Sequence, residues 1–215
     1  MWEIGWSVAI TLVALAVAIG CGPRVVAAFP APAPEQPRRD APGARPLAAA
    51  TAVTVAAVVT ALHRHPSWVP AYAWLAVLGV WLAVIDLRVH RLPDPLVLPS
   101  YPVVALLLGL AALVDDTPGR LLRAGVAGLV CWTVFLVLHR LPGDGFGRGD
   151  VKLAGLLGLA LGWLGWPSVL LGMVAGVALG GVVVLGLLVT RRVHRRDRLA
   201  YGPFLLGGAL LAVLT

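Results

Sequence analysis

The sequence predicts an all-α membrane protein: a polytopic helical bundle with about eight transmembrane helices. Three observations lead there. Of 215 residues, 60% are hydrophobic and 13% charged, with a mean hydropathy of +0.91; an ordinary soluble domain carries about 25% charge. The apolar residues fall in blocks of about 16–22, long enough to cross a hydrocarbon layer of about 30 Å as helices. The loops between blocks alternate between strongly basic and nearly base-free, as short loops on the two sides of a membrane do.

In chain order, the apolar segments are 4–22, 47–62, 70–86, 96–114, 120–139, 151–166, 168–190 and 200–214. The start, Met1-Trp-Glu3, lacks the basic residues of a signal peptide, so Ala18-Ile-Gly-Cys21 is not expected to be a lipidation box. Residues 23–46 are rich in Pro, Ala and Arg and too poor in apolar side chains to fold alone. They read as a flexible loop inside one membrane domain spanning 1–215. The second and last segments are short and need tilt or local bilayer thinning. Trp163-Leu-Gly-Trp-Pro167 reads as the turn between the sixth and seventh spans, with both tryptophans suited to an interfacial belt.

Orientation follows from the bases. One side has Arg24, Arg38, Arg39 and Arg45, then Arg88 and Arg91, then Arg140, Arg148 and Lys152, then five arginines between 191 and 198. The other has Arg64, Arg120 and Arg123, with Glu3, Asp115 and Asp116. The richer side is expected in the cytoplasm and both termini opposite it. The net charge of +7 is thus spread over loops, and no nucleic-acid partner is expected. Cys21 and Cys131 are far apart and form no CxxC pair, so no metal site, disulfide or cofactor is expected.

On this map two carboxylates coincide. Asp86 ends the third span and Asp150 opens the sixth, both on the cytoplasmic side. Ionisable groups beside a span are costly and so point to function. Stepping back from Asp86 gives Ala83, Gly79 and Ala76; stepping forward from Asp150 gives Ala154, Gly158 and Gly162. Small residues at this spacing let helices approach closely in lipid, so both aspartates fall on packed faces. Gly172, Gly176 and Gly180 of the seventh span extend the same packing. Each aspartate also has a plainer reading: Asp150 as a helix cap after Gly149, Asp86 as a partner of Arg88 or a residue at the water interface. Asp94 and Asp144 lie in Pro- and Gly-rich turns. Asp115 and Asp116 lie on the opposite side, and His90 and His139 have no spacing that suggests a metal. Lys152, the only lysine, is placed to orient Asp150 or to bind lipid phosphate.

These residues resemble a known family. Val84-Ile-Asp-Leu-Arg88, Arg91-Leu-Pro-Asp94 and Leu98-Pro99, then Gly147-Arg-Gly-Asp-Val-Lys-Leu153, then Tyr201-Gly-Pro-Phe204 are similar to the prepilin peptidases. These are also called type IV leader peptidases, membrane aspartic proteases with a GxGD signature. The resemblance covers about residues 70–214, the expected peptidase core. It implies that Asp86 and Asp150 are the catalytic pair, with Gly147 and Gly149 giving the substrate backbone room beside Asp150 and Lys152 beside the substrate. It further implies a multi-pass protein of the bacterial inner membrane. Its partner would be a prepilin or pseudopilin with a short basic leader, a glycine before the cut and an apolar helix beyond it. Bifunctional members carry a cytoplasmic domain with paired CxxC motifs between the first two spans. This chain has the Pro-rich loop there, so zinc is not expected and N-methylation is in doubt.

Two close carboxylates do not both ionise readily, so one can act as base while the other stays protonated. Three other readings fit parts of the pattern. A presenilin-like intramembrane protease shares GxGD, but no Pro-Ala-Leu motif lies near the C-terminus and Asp86 is not mid-span. A proton- or cation-coupled transporter would favour midplane acids on broken helices. An inactive structural subunit is disfavoured by the intact pair.

Overall fold

The structure, a computed structural model, describes residues 44–141, 146–190 and 200–215, together with 9, 13, 16, 20–22 and 24–29. Seven α-helices have complete bounds among them: α1 Ala44–Ala61, α2 Val69–Val89, α3 Asp94–Val114, α4 Pro118–Arg140, α5 Arg148–Leu164, α6 Trp166–Val189 and α7 Gly202–Leu214. A 3-10 turn, Pro66–Trp68, leads into α2. No strand occurs among the described residues, so the all-α expectation holds. A lipid-facing chain must satisfy its backbone polar groups within the segment, and helices do so.

Four stretches are long and apolar enough to cross a membrane: Pro66–Val89, Asp94–Val114, Pro118–Arg140 and Trp166–Leu187. Arg45–Ala61 and Gly202–Leu214 are apolar but shorter, as expected of the second and last segments. Helix α5 has 17 residues and opens on a turn holding Arg148, Asp150 and Lys152. The expected eight spans therefore appear, among the described residues, as four full-length spans, two short apolar helices and one helix with a charged start. Most of 4–22, the stretch 30–43 and Asp144 lie outside the described residues. Residues 24–27 are helical, and Ala28 N–H donates to Arg24 O at 3.0 Å. The helical conformation thus reaches beyond the predicted loop boundary at residue 23.

The small-residue faces are contact surfaces. A Cβ added at Gly158 would lie 2.7 Å from that of Cys131, and one at Gly162 would lie 2.5 Å from that of Ala127. Helices α4 and α5 thus meet backbone to backbone, as small residues permit in lipid. A Cβ at Gly176 would meet Leu205 Cα at 2.9 Å, and one at Gly79 would meet Leu206 Cδ2 at 3.1 Å, which brings α6 and α2 onto α7.

The end of the bundle away from Asp86 is held by polar side chains. Ser67 Oγ and Trp68 Nε1 donate to Asp115 at 2.8 and 2.7 Å. Arg120 lies 4.7 Å over the Trp68 ring. Arg123 donates to the carbonyls of Gly162 and Trp163, both at 2.7 Å, and so closes the C-terminal turn of α5. This corrects one expectation. Trp166 is exposed as a belt residue would be, but Trp163 is fully buried, packed edge-on against Trp68 at 6.0 Å. Gly165, at φ 154°, makes the sharp turn that separates the two.

Candidate active site

Helix α2 ends one turn beyond Asp86. His90 takes a left-handed conformation (φ 52°) and returns its N–H to Asp86 O at 2.8 Å. Pro93, extended at φ −72° and ψ 123°, then directs the chain into α3. The linker between the two helices, 90–93, is only four residues long. Asp86 is 4% exposed.

Asp150 lies in the first turn of α5, ahead of the apolar run from Val151, and is 7% exposed. Its Oδ2 accepts the N–H of Gly147 at 2.8 Å. Asp150 is thus the third residue of the helix reaching back to Gly147, which is the N-cap, and not the N-cap itself as the plainer reading had it. Burial pushes the Asp150 carboxyl up to about 6, against the Gly147 N–H and nearby His139, which favour the ionised form. His139 is fixed by a 2.7 Å bond from Nδ1 to the carbonyl of Phe146, an acceptor only, so Nδ1 carries the proton.

The two aspartates lie at one end of the bundle: Leu92 rests against both Gly149, the neighbour of Asp150, and Gly202, whose N–H holds Asp86. Each Oδ2 is held by a glycine N–H at a helix start: Asp150 by Gly147, and Asp86 by Gly202, the first residue of α7, at 3.0 Å. Asp86 stands near the C-terminal, partially negative end of its own helix, where an anion is disfavoured. The N-terminus of α7 opposes that field with a free backbone donor.

The other predicted site residues fall nearby with different partners. A Cβ on Gly147 would sit 3.3 Å from Asp150 Oδ2, and one on Gly149 would sit 2.8 Å from Leu92 Cβ. The space those glycines leave is therefore occupied by Asp150 itself and by Leu92. Lys152 Nζ pairs with Asp94 Oδ2 at 2.7 Å, so Asp94 tethers the lysine as well as opening α3. Arg88 Nη1 donates to Val26 O at 3.2 Å.

Four residues beside the pair had been given no role of their own, although Leu92, Tyr201 and Gly202 lie inside the motifs named above: Leu92, Phe146, Tyr201 and Gly202. The rings of Phe135, Phe146 and Tyr201 follow one another at 5.0 and 4.7 Å. Tyr201 directly precedes Gly202, the donor to Asp86. Gly202 had a readable signal, since a glycine opening a helix before proline offers an unpaired N–H. Leu92 had none, being an ordinary apolar residue in a short linker.

The model of the type IV leader peptidase family matches residues 71–189. The prepilin leader peptidase/N-methyltransferase of Aeromonas salmonicida (strain A449) is 35% identical over 162 residues, covering 73% of this chain and 53% of that protein. The protein of that name from Escherichia coli (strain K12) is 35% identical over 133 residues, covering 60% and 56%. The one from Burkholderia pseudomallei (strain K96243) is 35% identical over 151 residues, covering 65% and 46%. The chain spans about half the length of these curated relatives. No solved structure matches it. With its family match extending over more than half its length, the chain belongs to the type IV leader peptidase family.

Proposed function

We propose that the protein is an aspartic endopeptidase that removes the leader of type IV prepilin-like precursors at the cytoplasmic face of the bacterial inner membrane. The observation that carries this reading is the meeting of two buried carboxylates from distant helices, each with one oxygen fixed by a glycine N–H. Relatives named prepilin leader peptidase supply the substrate class.

In the reaction, the ionised member of the pair takes a proton from water. The resulting hydroxide adds to the scissile carbonyl carbon while the protonated member donates to the carbonyl oxygen. Collapse of the tetrahedral intermediate breaks the C–N bond: the member that took the proton from water gives it to the leaving amine, and the proton on the former carbonyl oxygen returns to the other member. The pair acts as a unit, with one shared proton passing between its members. The reading covers hydrolysis alone.

The pair's surroundings suit a substrate whose cut site precedes an apolar helix. A cavity of about 210 Å³ lies between α2 and α7, lined by Ala76, Gly79, Ala83, Pro203, Leu206 and Gly207. Ala83 is one turn from Asp86, and Pro203 follows the glycine that holds it. An apolar segment entering there from the bilayer would bring its polar end to the carboxylates.

The test places the full chain with a type IV prepilin precursor in membranes. Leader removal is expected, and Asp86→Asn and Asp150→Asn are each expected to abolish it while the protein remains inserted. Cleavage that persists in either variant rules out the mechanism. Cation-coupled transport lost in both variants, with precursor processing intact, would assign the pair to a transporter instead.

A further inference from the structure

Leu92 is 8% exposed although it sits in the four-residue linker, 90–93, between α2 and α3, where Arg91 before it and Asp94 just beyond the linker are exposed. Its side chain is pinned from both directions. A Cβ on Gly149, the neighbour of Asp150, would meet Leu92 Cβ at 2.8 Å and Cδ1 at 3.3 Å. A Cβ on Gly202, the donor to Asp86, would meet Leu92 Cδ2 at 3.3 Å. One methyl therefore rests against the start of α5 and the other against the start of α7. The linker cannot easily withdraw it, because left-handed His90 and proline at 93 fix its two ends.

We propose that Leu92 is a positioning residue for the hydrolysis: wedged between Gly149 and Gly202, it sets the separation of the Asp86 and Asp150 carboxyl groups. The inference rests on the aspartic-pair reading above. A shared water must fit between the two groups in line with the scissile carbonyl, and a displacement of about 1 Å costs on the order of a hundredfold in rate. Leu92 acts through the two glycines, whose bare Cα atoms are what allow its methyls so close. Being buried behind them, it leaves substrate affinity to other residues.

A shorter side chain lets the two helix starts approach. The carboxylates then repel more strongly, and the interval between the pair's two apparent pKa values widens. The test measures kcat, KM and the pH dependence of kcat for Leu92→Met, Leu92→Val and Leu92→Ala in the full chain in membranes, with a prepilin precursor as substrate. Leu92→Met should keep most of the activity. Leu92→Val and Leu92→Ala should lower kcat in that order, by about tenfold or more for alanine, with KM within about twofold and a broadened pH profile. A kcat loss with both pH limbs unmoved, or a loss carried by KM, overturns the proposal. If Leu92→Ala fails to accumulate, Leu92→Val, which removes a single carbon, carries the same comparison. Asp86→Asn in the same membranes keeps the two failures apart: if it still cleaves, the aspartic-pair reading has failed, whatever the Leu92 series does.

Discussion

A buried carboxylate is tolerated only where something replaces its water, and here the replacement is backbone. Gly202 and Gly147 each present an N–H to one aspartate oxygen, and a charge-assisted bond of this kind is worth about 1.5–3 kcal/mol. The two glycines differ in how little room they leave. A Cβ at position 202 would lie 2.7 Å from Asp86 Oδ2, whereas one at 147 would lie 3.3 Å from Asp150 Oδ2. Gly202→Ala should therefore displace Asp86 and lower kcat for leader removal by at least about tenfold. Gly147→Ala should cost clearly less. Equal effects in a cleavage assay would mean that contact with Asp86 is not what position 202 provides. Asp86 and Asp150 were legible in the sequence because ionisable groups at the ends of apolar runs are expensive and therefore stand out. Gly202 was legible only as a helix-start N–H; its target, like the role of Leu92, arises from contacts between segments more than fifty positions apart, which no local pattern records.

The helices were legible for a different reason. Apolar runs of sufficient length have one stable form in lipid, and prolines mark several of their starts: Pro70, Pro95, Pro118, Pro167 and Pro203 all fall in the opening turn of a helix. The packed faces were legible too, from small residues at four-residue spacing, but which helix each face met was not. Helix α5 turns Gly158 and Gly162 onto α4, its neighbour in sequence, while α6 turns Gly176 onto α7. Trp163 was misplaced because periodicity does not separate an interfacial tryptophan from one buried at the same height. These contacts predict a contrast in stability. Gly158→Ala drives a Cβ to within 2.8 Å of the Ala127 carbonyl oxygen, and overpacking of this kind costs about 1–3 kcal/mol. Gly125→Ala, on the same α4–α5 pair but with nothing within 4 Å, should be neutral or stabilising by up to about 1 kcal/mol through helix propensity. Thermal unfolding in detergent distinguishes the two; equal shifts would contradict the close α4–α5 approach.

The bundle as a whole has two unlike ends. One holds Asp86, Asp150 and the Asp94–Lys152 pair; the other holds Asp115, Arg120 and Arg123 around Trp68 and Trp163. The exposed Asp94–Lys152 pair contributes little to stability, about 1 kcal/mol or less, so it orients the helix starts more than it strengthens them. Basic-loop counting predicted the same division without using the two aspartates, and it further predicts that the carboxylate end faces the cytoplasm. Single cysteines in a chain with Cys21 and Cys131 replaced test that assignment. A membrane-impermeant maleimide added to intact cells should label Asp116→Cys at once and Arg91→Cys only after permeabilisation. The reverse pattern would put the hydrolytic end outside.

The functional reading stands or falls on whether Asp86 and Asp150 act as one unit. The most direct measurement compares kcat/KM for leader removal in Asp86→Asn, Asp150→Asn and the double variant, at matched membrane insertion. Groups that share one proton are strongly non-additive, so each single variant should fall to the same residual rate as the double. A double variant slower than either single one by the product of their separate losses would show two independent carboxylates, and no catalytic pair.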